Sequence, residues 1–358
     1  MKQFDLSRVA ESLQPSGIRK FFDLAASMKG VISLGVGEPD FVTPWNVRQA
    51  CIRSLEQGYT AYTANAGLLE LRQEIAKYLK KQFAVSYDPN DEIIVTVGAS
   101  QALDVAMRAI VNPDDEILII EPSFVSYAPL VTLAGGVPVP VATSLEDEFK
   151  VQPDQIEAAI TTKTKAILLC SPNNPTGAML NKSELEKLAV IVEKYNLIVL
   201  SDEIYAELVY DEAYTSFASI KNMRDHTILI SGFSKGFAMT GWRLGMIAAP
   251  VQFSELILKI HQYSMMCAPT MSQFAALEAL CGGNDEVIRM RDSYKKRRNF
   301  MTTSFNEMGL TCHVPGGSGE GFIRCSYATS LEQLMEAMKR MERFIENKKR
   351  TKHNTFCP

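Results

Sequence analysis

Short apolar runs recur along this chain, bounded by Gly, Pro, Ser or Asn, and they alternate with stretches of helical spacing. Residues 31–34, 92–97, 116–120, 166–170, 197–201 and 227–230 read as strands. Ile18, Phe21, Phe22 and Leu24 give a short helix an apolar side, with Ser16 as its cap. Leu71, Ile75, Tyr78 and Leu79 mark a second helix, and Leu103, Met107 and Ile110 a third. Two more are expected over 182–195 and 286–308. The strands are apolar almost throughout rather than alternating, the pattern of a sheet covered on both faces. That predicts an α/β fold with a mostly parallel sheet.

In such a sheet, ligands sit beyond the carboxyl ends of the strands. The polar loops at 98–100, 174–177, 202–205 and 231–235 all fall at that end. The last presents Ser231, Ser234 and Lys235, with Arg243 eight residues on from Lys235. A lysine amine bonds covalently to a carbonyl, and serines with an arginine fork hold a phosphate. A polar surface turn with a solvated lysine explains the same residues. Gly98-Ala99-Ser100, with the serine expected at a helix cap, has the makings of an anion site. Gly35 and Gly37 permit close backbone approach to a ligand, or form a plain turn; Pro39 and Asp40 exclude the dinucleotide fingerprint there.

At 358 residues the chain fits two domains, or one large domain and an appendage. A make-up of 46% hydrophobic and 22% charged residues is that of a globular protein, and the net charge is −4. The basic stretch Lys348-Lys349-Arg350-Thr351-Lys352 reads as a solvated terminus rather than a nucleic-acid patch. No apolar run is long enough to cross a bilayer, and residues 1–5 lack a secretory signal's apolar segment. Seven cysteines without a C-x-x-C pair point to reduced thiols and a cytoplasmic protein. Four scattered histidines show no zinc-ligand spacing, so no metal is expected.

Three motifs carry a resemblance: Ser171-Pro172-Asn173-Asn174-Pro175-Thr176-Gly177, Ser201-Asp202-Glu203-Ile204-Tyr205, and the run from Ser234-Lys235-Gly236 to Trp242-Arg243-Leu244-Gly245. Together they resemble the class I/II aminotransferases, enzymes of fold type I that use pyridoxal 5'-phosphate (PLP). The resemblance makes Lys235 the Schiff-base lysine and general base, and Asp202 the carboxylate facing the pyridine nitrogen. Asn174 and Tyr205 are then the partners of the ring's phenolic oxygen, and Phe124 stacks on the ring. Ala99 through its N–H, Ser100, Ser234 and Arg243 hold the phosphate. Tyr62 reaches the phosphate of a neighbouring subunit, implying a homodimer with shared active sites. Arg324 clamps the substrate carboxylate, with Gly37 and Asn174 nearby. Taken singly, Asp202 also reads as a helix-cap acid, Tyr205 as a core aromatic and Arg243 as a surface ion-pair partner; Trp242 and Met239 read as packing.

The residue types suit that chemistry. PLP draws off electrons only while its ring nitrogen stays protonated. A carboxylate at 4 Å favours that charge by about 4 kcal/mol at an effective dielectric near 20. The expected activity is amino transfer between an L-amino acid and a 2-oxo acid with ping-pong kinetics. A PLP-dependent carbon–sulfur β-lyase on the same fold is the alternative. A PLP-binding regulatory domain is a more distant one, since no basic helix-turn-helix precedes residue 16. The expected division is a large PLP-binding domain over 45–283 and a smaller α+β domain from 1–44 and 284–358. In the family, further strands and a helix separate a Pro-Gly-Gly run from the arginine-bearing stretch. Here Gly317 leads through Ser318-Gly319-Glu320-Gly321 to Phe322 and Arg324, so a segment between Gly317 and Ser318 is missing.

Overall fold

The computed structural model describes residues 4–15, 28–35, 37–310, 312 and 325–354. Its centre is a seven-stranded sheet: β1 (Ile93–Thr96), β2 (Glu116–Glu121), β3 (Val137–Ala142), β4 (Thr164–Cys170), β5 (Ile198–Asp202), β6 (Thr227–Gly232) and β7 (Gly245–Ala248). The strand order is β1-β7-β6-β5-β4-β2-β3. Only β7 runs against its neighbours; the β6-β5, β5-β4, β4-β2 and β2-β3 pairs are parallel. The expected mostly parallel α/β sheet is therefore present.

Successive strand residues point to opposite faces, and both faces are buried. Ile117, Ile119, Ala166, Leu168, Leu200, Ile228 and Ile230 pack on one side with Leu103 and Met107 of helix α4 (Gly98–Ile110). Leu118, Ile167, Leu169 and Val199 face the other way, against Leu185, Leu188 and Val192 of α7 (Lys182–Tyr195). Asn181 starts α7 with a capping box shared with Glu184. Before the sheet come α1 (Arg8–Ser12), α2 (Trp45–Glu56) and α3 (Leu69–Phe83). Leu71, Ile75 and Leu79 form the buried face of α3, as their spacing predicts. Between strands lie α5 (Tyr127–Leu133) and α6 (Pro153–Ala159), and after the sheet come α8 (Val251–Ser264), α9 (Thr270–Gly282), α10 (Asn284–Glu307) and α11 (Leu331–Asn354). A separate small core joins Met301 and Phe305 of α10 to Leu334, Ala337 and Met338 of α11, with Ile32 and Leu34 against it.

Register places the candidate loops together. Cys170 pairs with Asp202, and Asp202 with Ile230, so β4, β5 and β6 deliver their next residues side by side.

Two expectations need correction. Residues 31–34 form no strand: among the described residues one backbone bond, from the Ser326 N–H to the Leu34 carbonyl (2.7 Å), reaches them from the small core, and one bond does not make a ladder. Ser100 is not a helix cap: α4 begins at Gly98, its cap position is Val97, and no side chain caps it. The helix expected from Ser16 to Leu24 and the join at Gly317 and Ser318 lie outside the described residues.

Candidate active site

At the carboxyl end of the sheet a cavity of about 450 Å3 opens, and Gly37, Asn174, Tyr205 and Lys235 all line it. Each comes from a different loop. Asn173 braces the first: its Nδ2 donates to the Pro122 carbonyl and to Thr176 Oγ1, both at 2.9 Å, which leaves Asn174 on the cavity wall. Tyr205 follows β5 directly, and the Lys235 Nζ lies 5.9 Å from its ring centroid. The Nζ also donates to the Gly37 carbonyl at 2.9 Å.

Segment 37–43 is tied to the lysine loop by further bonds. Thr43 Oγ1 donates to the Ala238 carbonyl and Thr240 Oγ1 to Glu38 Oε1, both at 2.6 Å. The Trp242 indole donates to Thr43 Oγ1 at 3.0 Å, and Met239 is fully buried, so both serve packing as expected. From α10, Arg297 ion-pairs with Asp40 at 2.6 Å, linking the small core to this segment.

Asp202 ends β5, three residues before Tyr205, and is 4% exposed. Burial pushes its carboxyl above the usual range. The Tyr127 hydroxyl, the Ile204 N–H and the Lys235 charge pull it back toward ionisation. Tyr127 donates to Oδ2 at 2.7 Å and the Ile204 N–H to Oδ1 at 3.2 Å.

The third group gathers at the start of α4. Gly98 has φ +78°, and a Cβ there would lie 2.7 Å from Arg243 Nη2, so only glycine leaves room for that guanidinium. A Cβ on Gly245 would fall 2.5 Å from the Gly98 carbonyl carbon and 2.6 Å from the Ala99 nitrogen. Backbone meets backbone here, bringing Arg243 against the uncapped turn that carries Ala99 and Ser100. Uncapped N–H groups, the positive end of the helix dipole and a guanidinium together favour a bound anion. Ser234 is partly buried, next to Lys235.

Phe124 packs edge-on against Tyr127, their centroids 5.6 Å apart. Tyr62 is 78% exposed. Arg324 lies outside the described residues.

Sequence reasoning passed over Tyr127, whose ring is buried and whose hydroxyl supports Asp202. The available signal was its spacing, three residues after Phe124 in a run that begins a helix. The far wall was also missed: Tyr210, Tyr294, Tyr327 and Arg298 line it, with Arg298 paired to Asp211 at 2.6 Å. No group of side chains able to hold a metal is found among the described residues, and Cys51, Cys170, Cys267 and Cys281 are unpaired. No described helix is long and apolar enough to cross a membrane.

A model of the family described as aminotransferase class I and II matches residues 29–344. A putative aminotransferase of Bacillus subtilis is 56% identical, the match covering 95% of this chain and 98% of that protein. That alignment runs over 378 positions, more than the 358 residues here, so the relative carries residues with no counterpart in this chain. An aspartate aminotransferase of Pyrococcus abyssi is 43% identical over 95% of this chain and 98% of its own. The crystal structure of an aromatic aminotransferase from Pyrococcus horikoshii superposes with a TM-score of 0.86 at 41% identity, covering 93% of this chain and 99% of that one. The chain belongs to the class I and II aminotransferases, and it is a transaminase of their fold.

Proposed function

We propose that this aminotransferase works with PLP seated between Lys235 and the first turn of α4, moving an amino group between an L-amino acid and a 2-oxo acid. The observation that carries the reading is that Lys235 shares one cavity with Asn174 and Tyr205 at the sheet's carboxyl end, and that its charge favours ionisation of the buried Asp202 at the end of β5. The surrounding residues fit the cofactor. An uncapped helix turn with Arg243 over it suits the phosphate, and the cavity wall between supplies an amide and a phenol.

In this reading Asp202 keeps the pyridine nitrogen protonated, with Tyr127 and the Ile204 N–H keeping Asp202 ionised. Asn174 and Tyr205 donate to the phenolic oxygen, and Phe124 covers one face of the ring. Ala99, Ser100, Ser234 and Arg243 bind the phosphate. Bound there, PLP supplies a sink for the electron pair left when the substrate's Cα–H bond breaks. Lys235 Nζ takes that proton as base and returns it as acid. Its bond to the Gly37 carbonyl shows that the side chain reaches segment 37–43, where the substrate is proposed to sit. Arg324 is the proposed partner of the substrate carboxylate, because its planar fork makes two parallel bonds and so sets the Cα–H direction.

The exposure of Tyr62 supports its action in a second subunit, hence a homodimer with shared sites. The separate core of α10 and α11 supports a small domain built from 1–44 and 284–358 beside a large one over 45–283. The unpaired Cys51, Cys170, Cys267 and Cys281 support a cytoplasmic setting.

A panel of amino donors tests the activity, aspartate, alanine and aromatic amino acids first, each with and without a 2-oxo acid acceptor. The reading predicts amino transfer to the acceptor and little turnover without it. Pyruvate and ammonia formed from a sulfur-bearing donor with no acceptor present would favour the β-lyase and contradict it.

A further inference from the structure

His261 on α8 is fully buried and plays no part in the site above. Its neighbour Gln101, on α4, reaches back along its own helix so that its Oε1 accepts the Val97 N–H at 2.7 Å. This resembles the returning glutamine of a capping box, one position later. With that oxygen committed, the Gln101 amide points its Nε2 at His261 Nδ1, 2.8 Å away. An amide nitrogen only donates, so Nδ1 accepts and the neutral ring carries its hydrogen on Nε2. Burial favours the neutral ring by lowering its pKa. The buried Nε2 has no hydrogen-bond partner among the described residues.

The chain of bonds ends at the peptide that opens the anion-favouring turn. Val97 precedes Gly98, whose positive φ and contact with Arg243 set where the first N–H groups of α4 point. Without an acceptor at position 261, Gln101 is free to turn its amide and release the Val97 N–H. We propose that His261 is a positioning residue for cofactor phosphate binding, acting through Gln101 on the first turn of α4. The proposal rests on the reading of that turn as the phosphate site.

The test compares the affinity of the full-length apoprotein for PLP and for pyridoxal, which lacks the phosphate, by fluorescence titration. The wild type binds PLP more tightly than pyridoxal. His261→Phe removes the acceptor and weakens PLP about tenfold, the scale of one lost hydrogen bond in a preorganised site, while pyridoxal stays within roughly twofold. His261→Asn, which keeps an acceptor near the Nδ1 position, restores the PLP affinity. Gln101→Leu gives the same loss, and adding His261→Phe to it costs nothing more. Should His261→Phe not fold, the Gln101→Leu result decides. Equal PLP binding by the wild type and both variants overturns the proposal, as does a parallel loss of PLP and pyridoxal. A wild type that binds PLP no better than pyridoxal overturns the phosphate assignment, and this inference with it.

Discussion

Asp202 and Glu203 are adjacent acids, both buried, and burial raises the pKa of both, but the fold surrounds them differently. The pleat turns Asp202 toward α4 and α5, where Tyr127 and the Ile204 N–H donate to it and Lys235 supplies an opposite charge. Glu203 follows Ser201 to the other face. Oε1 there accepts from Ser201 and Ser216, both at 2.8 Å, and Oε2 has no hydrogen-bond partner. Its donors are neutral, and burial pushes its pKa from 4.5 to about 7. Around Glu203 the neutral donors do not offset burial, whereas Asp202 has a cation near it as well as its hydrogen bonds. On this reading Asp202 is placed to meet a cationic ligand group, while Glu203, among neutral donors, titrates near neutral pH and serves the fold.

The comparison breaks most sharply at Asp202. Asp202→Asn leaves the shape but removes the charge proposed to hold a pyridinium. On the Coulomb scale of about 4 kcal/mol, transamination falls by roughly a thousandfold. Steady-state kinetics with saturating PLP measures this, and activity within roughly twofold of wild type would contradict it. Tyr127→Phe removes one bond to a charged group, about 1.5–3 kcal/mol, so kcat/KM falls roughly ten- to a hundredfold. The acid limb of its pH profile moves to higher pH, because Asp202 loses a group that favours its ionised form.

The smallest expected effect concerns stability. Glu203 binds its proton more tightly folded than unfolded, so it opposes folding increasingly as pH rises from about 4.5 to about 7, by about 3 kcal/mol in full. Glu203→Gln has no proton to lose. Its stability relative to wild type therefore rises across that window and levels off above it. Chemical denaturation at a series of pH values measures the difference. A constant difference would mean that Glu203 titrates alike in both states.

How much of this was legible in the chain follows from what each feature depends on. The strands at 166–170 and 227–230 were plain because both of their faces are buried, and the loops after them carry contiguous polar motifs. The β3 strand was hidden by Pro138 and Pro140, which a sheet tolerates at its edge, where β3 lies. The four residues of β7 were not read as a strand, because the first, Gly245, closes the glycine-rich motif and only three apolar residues follow it. The support of Asp202 by Tyr127 spans 75 positions, and the bond between Gln101 and His261 spans 160. Local pattern carries no trace of such pairs; only the packing of α4 against its neighbours brings them together.

The central claim is that Lys235 and Asp202 serve one bound PLP. Borohydride treatment of the PLP-loaded protein, followed by digestion and mass mapping of the modified peptide, tests it most directly. The account predicts a single stoichiometric pyridoxyl label on Lys235, absent in Lys235→Ala and weakened in its PLP dependence by Asp202→Asn. A label on another lysine, or one insensitive to Asp202, would contradict it.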